Sequence, residues 1–118
     1  MNQPNIIRHK SYRFALRIIE IYKDQGADQL SRSLFGQLLR SGTSVGANVE
    51  EAIGAESRAD FRHKMSIAYK ESRETEYWLR LLSDANLIPK NNAQSLKSDA
   101  TELVKILYTI IKSTKGQS

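Results

Sequence analysis

Gln37–Ala52 reads QLLRSGTSVGANVEEA, and no other stretch says as much about how this chain packs. Wound as a helix at about 100° per residue, it lays Gln37, Arg40, Ser41, Ser44, Asn48 and Glu51 along one polar stripe. Leu34, Leu38, Val45, Val49 and Ala52 form an apolar stripe beside it. Polar groups this near a core-facing stripe need partners on a neighbouring helix, because burying one unpaired costs about 1–3 kcal/mol. The segment therefore speaks of contact between helices before it speaks of chemistry.

Three more segments show helical periodicity, with short breaks between them. The first is expected over Ile6–Gln25, with Tyr12, Ala15, Ile18, Ile19 and Tyr22 inward and Gly26 ending it. The second, which holds the opening stretch, should start near Ser31 or Ser33 and end near Gly54. A third should start at Ser57, where Ser57-Arg58-Ala59-Asp60 resembles a capping box, and run to about Asn86. Its inward face is Phe61, Met65, Ala68, Ser72, Thr75, Leu79 and Leu82. After Pro89, Asn91 and Gln94 offer a second capping box for a fourth helix through Ile111, carrying Leu96, Leu103, Ile106, Leu107, Ile110 and Ile111. Strand signals are absent. Short connections favour antiparallel neighbours, so the expected fold is all-α, an up-down-up-down four-helix bundle.

The 118 residues make one domain, 1–118, large enough for one core, with about five residues at each end expected to fray. The absence of cysteine removes disulfides, thiolate metal sites and a cysteine nucleophile. No apolar run approaches the ~20 residues that span a membrane, and the N-terminus lacks the apolar core of a signal peptide. The expectation is a soluble, cytoplasmic protein with no membrane partner. Net charge is +5, and its placement is uneven. Residues 1–17 hold Arg8, Lys10, Arg13 and Arg17 and no acid, and residues 103–118 hold Lys105, Lys112 and Lys115 and no acid. In an up-down-up-down bundle these ends meet at one pole, joined by Arg58, Arg62 and Lys64 from the third helix. Glu50, Glu51, Glu56 and Asp60 dilute that basic pole without cancelling it.

Several strings carry a family resemblance. Arg40-x-x-x-Ser44-x-x-Ala47-Asn48-Val49-x-Glu51 resembles the hallmark of the bacterial four-helix-bundle proteins called the 23S ribosomal RNA intervening sequence protein family. Lys70-Glu71-Ser72-Arg73-Glu74-Thr75-Glu76-Tyr77-Trp78-Leu79 and Ser11-Tyr12-Arg13-Phe14-Ala15 are similar to that family too, and the likeness covers roughly residues 10 to 112. Gly46 stands where many members have proline, which should only straighten the helix. The resemblance implies a left-handed bundle that assembles into a ring-like homopentamer. It also implies kinship with the accessory variability protein of diversity-generating retroelements, a basic pentamer that works with a reverse transcriptase and nucleic acid. It brings no catalytic residues and no cofactor.

Each polar constellation has a functional and a plainer reading. Arg40, Ser44, Asn48 and Glu51 with Glu71 and Glu74 make a candidate structural network: a guanidinium held by one glutamate, with Asn48 and Ser44 filling the remaining positions. Such a network fixes register more than it stabilises. A ferritin-like di-metal site needs two Glu-x-x-His motifs, and the chain offers only Asp60-x-x-His63, so no metal is expected. Gly42-Thr43-Ser44-Val45-Gly46 lacks the Gly-Lys-Ser/Thr ending and the preceding strand of a P-loop, and its small residues fit close helix approach better. Tyr77 and Trp78 read as core or subunit interface rather than as a stacking platform. An extra apolar face on the third helix is what an oligomer would require. The basic pole holds the best functional prospect, through Arg8, Lys10, Arg13, Arg17, Arg62, Lys112 and Lys115, which would grip RNA or DNA by phosphates with little base preference. The expectation is a non-enzymatic, homo-oligomeric nucleic-acid-binding accessory protein. The rival is a scaffold that docks a protein such as a reverse transcriptase without touching nucleic acid.

Overall fold

Two side chains set the best-defined helix starts. Asp28, in extended backbone, accepts a hydrogen bond from the Ser31 N–H at 3.1 Å, and Ser57 accepts from the Asp60 N–H at 3.0 Å. Each satisfies one of the amide donors that a helix leaves unpaired in its first turn. The computed structural model describes residues 3–24 and 28–115, which form α1 (Gln3–Lys23), α2 (Gln29–Ile53), α3 (Arg58–Asp84) and α4 (Lys90–Lys115), with no strand among them. The Ser57 start agrees with the sequence. The second helix starts earlier than expected: Asp28 is its cap, and Ser31 is the residue capped.

The third helix stops at Asp84, two residues short of expectation, because Asn86 takes the left-handed conformation at φ 61°. From there the Asn86 N–H reaches the Ser83 carbonyl at 3.0 Å and the Leu87 N–H reaches that of Leu82 at 2.9 Å. These two bonds satisfy helix-end carbonyls in the Schellman pattern, with asparagine in the place glycine usually fills. Pro89 then opens the fourth helix, its carbonyl accepting from the Ala93 N–H at 3.0 Å. Asn91 therefore lies inside the first turn and is not the cap; its side chain bonds the Asn92 N–H at 2.9 Å. The expected stop at Gly26 lies outside the described residues.

The four helices form a bundle of 48 × 21 × 21 Å in which each packs on its two neighbours around a square. The start of α3 meets the end of α4, where Arg62 Nη1 donates to the Thr114 carbonyl at 3.2 Å, as antiparallel order requires. The core agrees with expectation for three helices: Leu38, Val45, Val49 and Ala52 from α2; Met65, Ala68, Leu79 and Leu82 from α3; Leu96, Leu103, Leu107 and Ile110 from α4. The first helix is turned. Its buried residues are Ile7, Ser11, Phe14 and Ile18, whereas Tyr12, Ile19 and Tyr22, expected inside, face out.

Where α1 crosses α2, glycine sets the spacing. A Cβ on Gly42 would sit 3.0 Å from Ile18 Cγ1, and one on Gly46 would sit 3.4 Å from the Ser11 carbonyl oxygen. Between α2 and α3 the buried polar atoms find each other, since Thr75 Oγ1 lies 3.0 Å from Ser41 Oγ and both residues are fully enclosed. Ser72 and Ser11 instead turn their hydroxyls to carbonyls one turn back in their own helices. Among the described residues no buried side-chain nitrogen or oxygen is left unpaired.

Candidate nucleic-acid interface

The seven candidate cations fall into two groups once the helices are placed. Arg8 Nε donates to Glu50 at 2.7 Å, tying α1 to the end of α2. Lys10 pairs with Glu102 at 3.3 Å, and Arg17 with Asp99 and, at 3.0 Å, with the Ser95 hydroxyl; both fasten α1 to α4. Arg62 is spent on the Thr114 carbonyl. Arg13 lies between Lys10 and Arg17 on the wall of an α1–α4 cleft of about 470 Å³, and it has no acidic partner among the described residues. Lys112 and Lys115, exposed in the last turn of α4, have none either. The basic pole is therefore smaller in effect than its residue count, because carboxylates from α2 and α4 neutralise the cations of α1.

The Arg40 network forms in part. Its guanidinium reaches Glu71 at 3.2 and 3.4 Å and also pairs with Glu74, which in turn accepts from Trp78 Nε1 at 2.9 Å. Gln37 Oε1 takes the remaining edge at 3.4 Å. Ser44 and Asn48 do not complete it: Ser44 donates to the Arg40 carbonyl at 2.6 Å and Asn48 to the Ser44 carbonyl at 2.9 Å, both along their own helix. Glu51 belongs elsewhere, 2.8 Å from Lys64, whose ammonium is held above its ordinary pKa by that carboxylate. Arg40 stays 47% exposed and Glu71 20%, so in the single protomer this is a half-wet pair and not a buried one.

Two surfaces escaped the sequence reading. On α1, Tyr12, Leu16 and Ile19 are 63%, 48% and 38% exposed and lie on one face, leaving an apolar stripe outside the bundle. On the α3–α4 side, aromatics alternate with arginines. The Arg73 guanidinium lies 5.9 Å from the Tyr69 ring centre and Arg80 lies 5.8 Å from that of Tyr77. Tyr69 and Tyr108 bring their rings to 6.2 Å across the helix pair. Arg73, Tyr77, Arg80 and Lys97 line one depression of about 450 Å³, with Glu76 as its carboxylate and Thr101 donating to Glu76 at 2.9 Å. The signal was present as Tyr69-x-x-x-Arg73-x-x-x-Tyr77 at helical spacing; opposed to Lys97 and Tyr108 it becomes a surface.

Against protein-family models, the chain matches that of the 23S rRNA-intervening sequence proteins over residues 3–109. This chain belongs to that family. Among solved structures, it is similar to a protein of unknown function from the S23 ribosomal protein family of Bacteroides thetaiotaomicron, with 46% identity and a TM-score of 0.89. The likeness covers 94% of this chain and 99% of that one. Comparison with curated proteins finds no match. In this 23S rRNA-intervening sequence protein no three His, Cys, Asp or Glu side chains gather as a metal would need, among the described residues. None of its described helices is long and apolar enough to cross a membrane.

Proposed function

We propose that this protein is a non-enzymatic, homo-oligomeric accessory protein of the cytoplasm, a pentameric ring that holds RNA or DNA by its phosphates with little sequence preference. The observation that carries the reading is the set of candidate cations left without acidic partners among the described residues, Lys112 and Lys115 at one pole and Arg13 midway along α1, on a chain of net charge +5. Repeating that pole around a ring concentrates positive potential on one rim, and releasing counterions from nucleic acid then drives association. The exposed Tyr12–Leu16–Ile19 stripe supports assembly, because an apolar face left in water favours a contact that covers it.

The same stripe favours a second reading, a scaffold that docks a protein. Kinship with the accessory variability protein of diversity-generating retroelements would make a reverse transcriptase the partner. A salt series separates the two readings. Labelled structured RNA and duplex DNA are titrated with the protein, and oligomer mass is measured in the same samples. Nucleic-acid binding predicts log affinity falling linearly with log salt, at a slope of about −3 for three duplex phosphates per engaged protomer. It also predicts loss of binding in Lys112→Glu/Lys115→Glu. An intact oligomer that binds neither nucleic acid at low salt leaves the scaffold reading standing.

A further inference from the structure

We infer that the α3–α4 face is a stacking site for single-stranded nucleic acid, in which Tyr69, Tyr77 and Tyr108 take bases and Arg73, Arg80 and Lys97 take the phosphates between them. This rests on the nucleic-acid reading above and moves its centre from the pole to the flank of the bundle. Three features support it. First, rings are open to solvent: Tyr77 and Tyr108 are 47% and 54% exposed, and beside them Tyr69 is half-buried with its inner side on the core. Second, they are held in place. Trp78 meets the Tyr77 ring edge-on at 5.0 Å, and the Arg73 Nη1 donates to the Tyr69 hydroxyl at 3.3 Å. Third, the charge is right. The depression holds three cations against one carboxylate, Glu76, which lies 4.0 Å from Arg73, whereas Arg8, Lys10 and Arg17 on α1 each face a carboxylate of their own from α2 or α4.

The spacing also suits a strand. Tyr69 and Tyr77 are eight residues apart, about 12 Å along the helix axis, with Arg73 midway. A single strand with unstacked bases places ring and phosphate alternately over such a distance, and a guanidinium already resting on an aromatic face can stack on a base as well. Lys112 and Lys115 follow Tyr108 by four and seven residues, so they continue the same face of α4 toward the pole. A duplex keeps its bases paired and inward, so it would meet the cations and leave the rings unused.

The experiment uses the full chain with three labelled probes: a 12-nucleotide uridine run, a thymidine run of equal length, and a 12-base-pair DNA duplex. Wild type should bind the single strands at least tenfold more tightly than the duplex. Tyr77→Ala/Tyr108→Ala should weaken single-strand binding by about tenfold or more and leave duplex binding unchanged. Tyr77→Phe/Tyr108→Phe, which keeps the rings, should bind as wild type does. On the unaltered protein, light-induced crosslinking to 4-thiouridine RNA should give adducts at the α3–α4 tyrosines by mass spectrometry. That measurement stands even where a variant misfolds. Single-strand affinity unchanged in a folded alanine variant, adducts confined to other helices, or oligoglutamate competing as well as RNA of equal charge would each overturn the stacking site. If those results came with binding still lost in Lys112→Glu/Lys115→Glu, the phosphate reading would survive without this one. No binding of any probe would end both.

Discussion

Gly36 and Gly42 stand in the same helix, and alanine at each should act in opposite directions. Alanine in place of a mid-helix glycine gains about 1 kcal/mol, because the unfolded chain has less freedom to lose. At Gly36 nothing lies within 4 Å of the new methyl, so that gain should appear undiminished. At Gly42 the methyl would meet Ile18 Cγ1 at 3.0 Å and Cγ2 at 3.3 Å, inside the 3.5–4.0 Å at which carbon atoms rest comfortably. Ile18 is fully buried and β-branched, so it has no free rotamer to retreat into. Forcing a methyl into a packed core costs about 1–3 kcal/mol. The net effect of Gly42→Ala is then a loss of about 0–2 kcal/mol, and the two variants should differ by about 1–3 kcal/mol. For a domain of this size that is a gap of roughly 4–12 °C in Tm. Circular-dichroism melts and urea titrations, all at one protein concentration because assembly ties stability to concentration, would measure it. If Gly42→Ala stabilised as much as Gly36→Ala, the close approach of α1 to α2 would not be what holds Gly42 in place.

Arg40→Ala should cost about 1 kcal/mol in dilute protein, since its pair with Glu71 and Glu74 is half exposed, and urea midpoints would read it. A cost climbing toward the 3–5 kcal/mol of a buried pair as concentration rises would put this face inside an assembly; that full cost at the lowest concentration would contradict the exposure described. Asp28→Asn tests the cap of α2 through pH. Hydrogen bonds from the Ser31 side chain and backbone hold the Asp28 carboxyl below its ordinary 3.8. Its contribution is therefore present above that value and fades as pH falls through the lower folded one. The Tm difference between wild type and Asp28→Asn should shrink from pH 6 to pH 2, and a difference that widened would refute the cap's charge.

What the sequence made legible follows a physical division. Faces whose inward positions are mostly apolar, such as Met65–Ala68–Leu79–Leu82, could be read from periodicity alone. The first helix could not, because it carries two competing apolar stripes, Tyr12–Leu16–Ile19 outside and Ile7–Phe14–Ile18 inside, and the inner one is interrupted by Ser11 where the outer one is not. Burying Ser11 is cheap since its hydroxyl reaches the Arg8 carbonyl, a bond no count of hydrophobic residues registers. The cap at Asp28 was obscured by two serines equally suited to the role. At the candidate interface the types of residue were readable and their occupancy was not. Arg8, Lys10 and Arg17 are cations in any reading, but their partners Glu50, Glu102 and Asp99 lie 42, 92 and 82 residues away and meet them only when the bundle closes. The Arg40–Glu71–Glu74 pairing was foreseeable because adjacent helices had to match their polar stripes. Ser44 and Asn48 went to their own backbone, an option always open to such short side chains in a helix.

The α1–α4 cleft gives the first helix two unlike edges, one resembling a hinge and the other a latch. Its hinge runs along Gly42 and Gly46, where the lack of a side chain lets Ile18 and the Ser11 backbone of α1 lie close on α2, and its latch is the Lys10–Glu102 and Arg17–Asp99 pairs. Closing the latch joins the ends of the chain, the step with the largest loop to order, so it should come last in folding and open first in the native state. Salt weakens half-exposed ion pairs and leaves tight backbone contact alone. Rising ionic strength should therefore weaken the latch while the hinge and the buried Ile7, Phe14 and Ile18 hold, so that amide exchange quickens in α1 before it does in α2, α3 and α4.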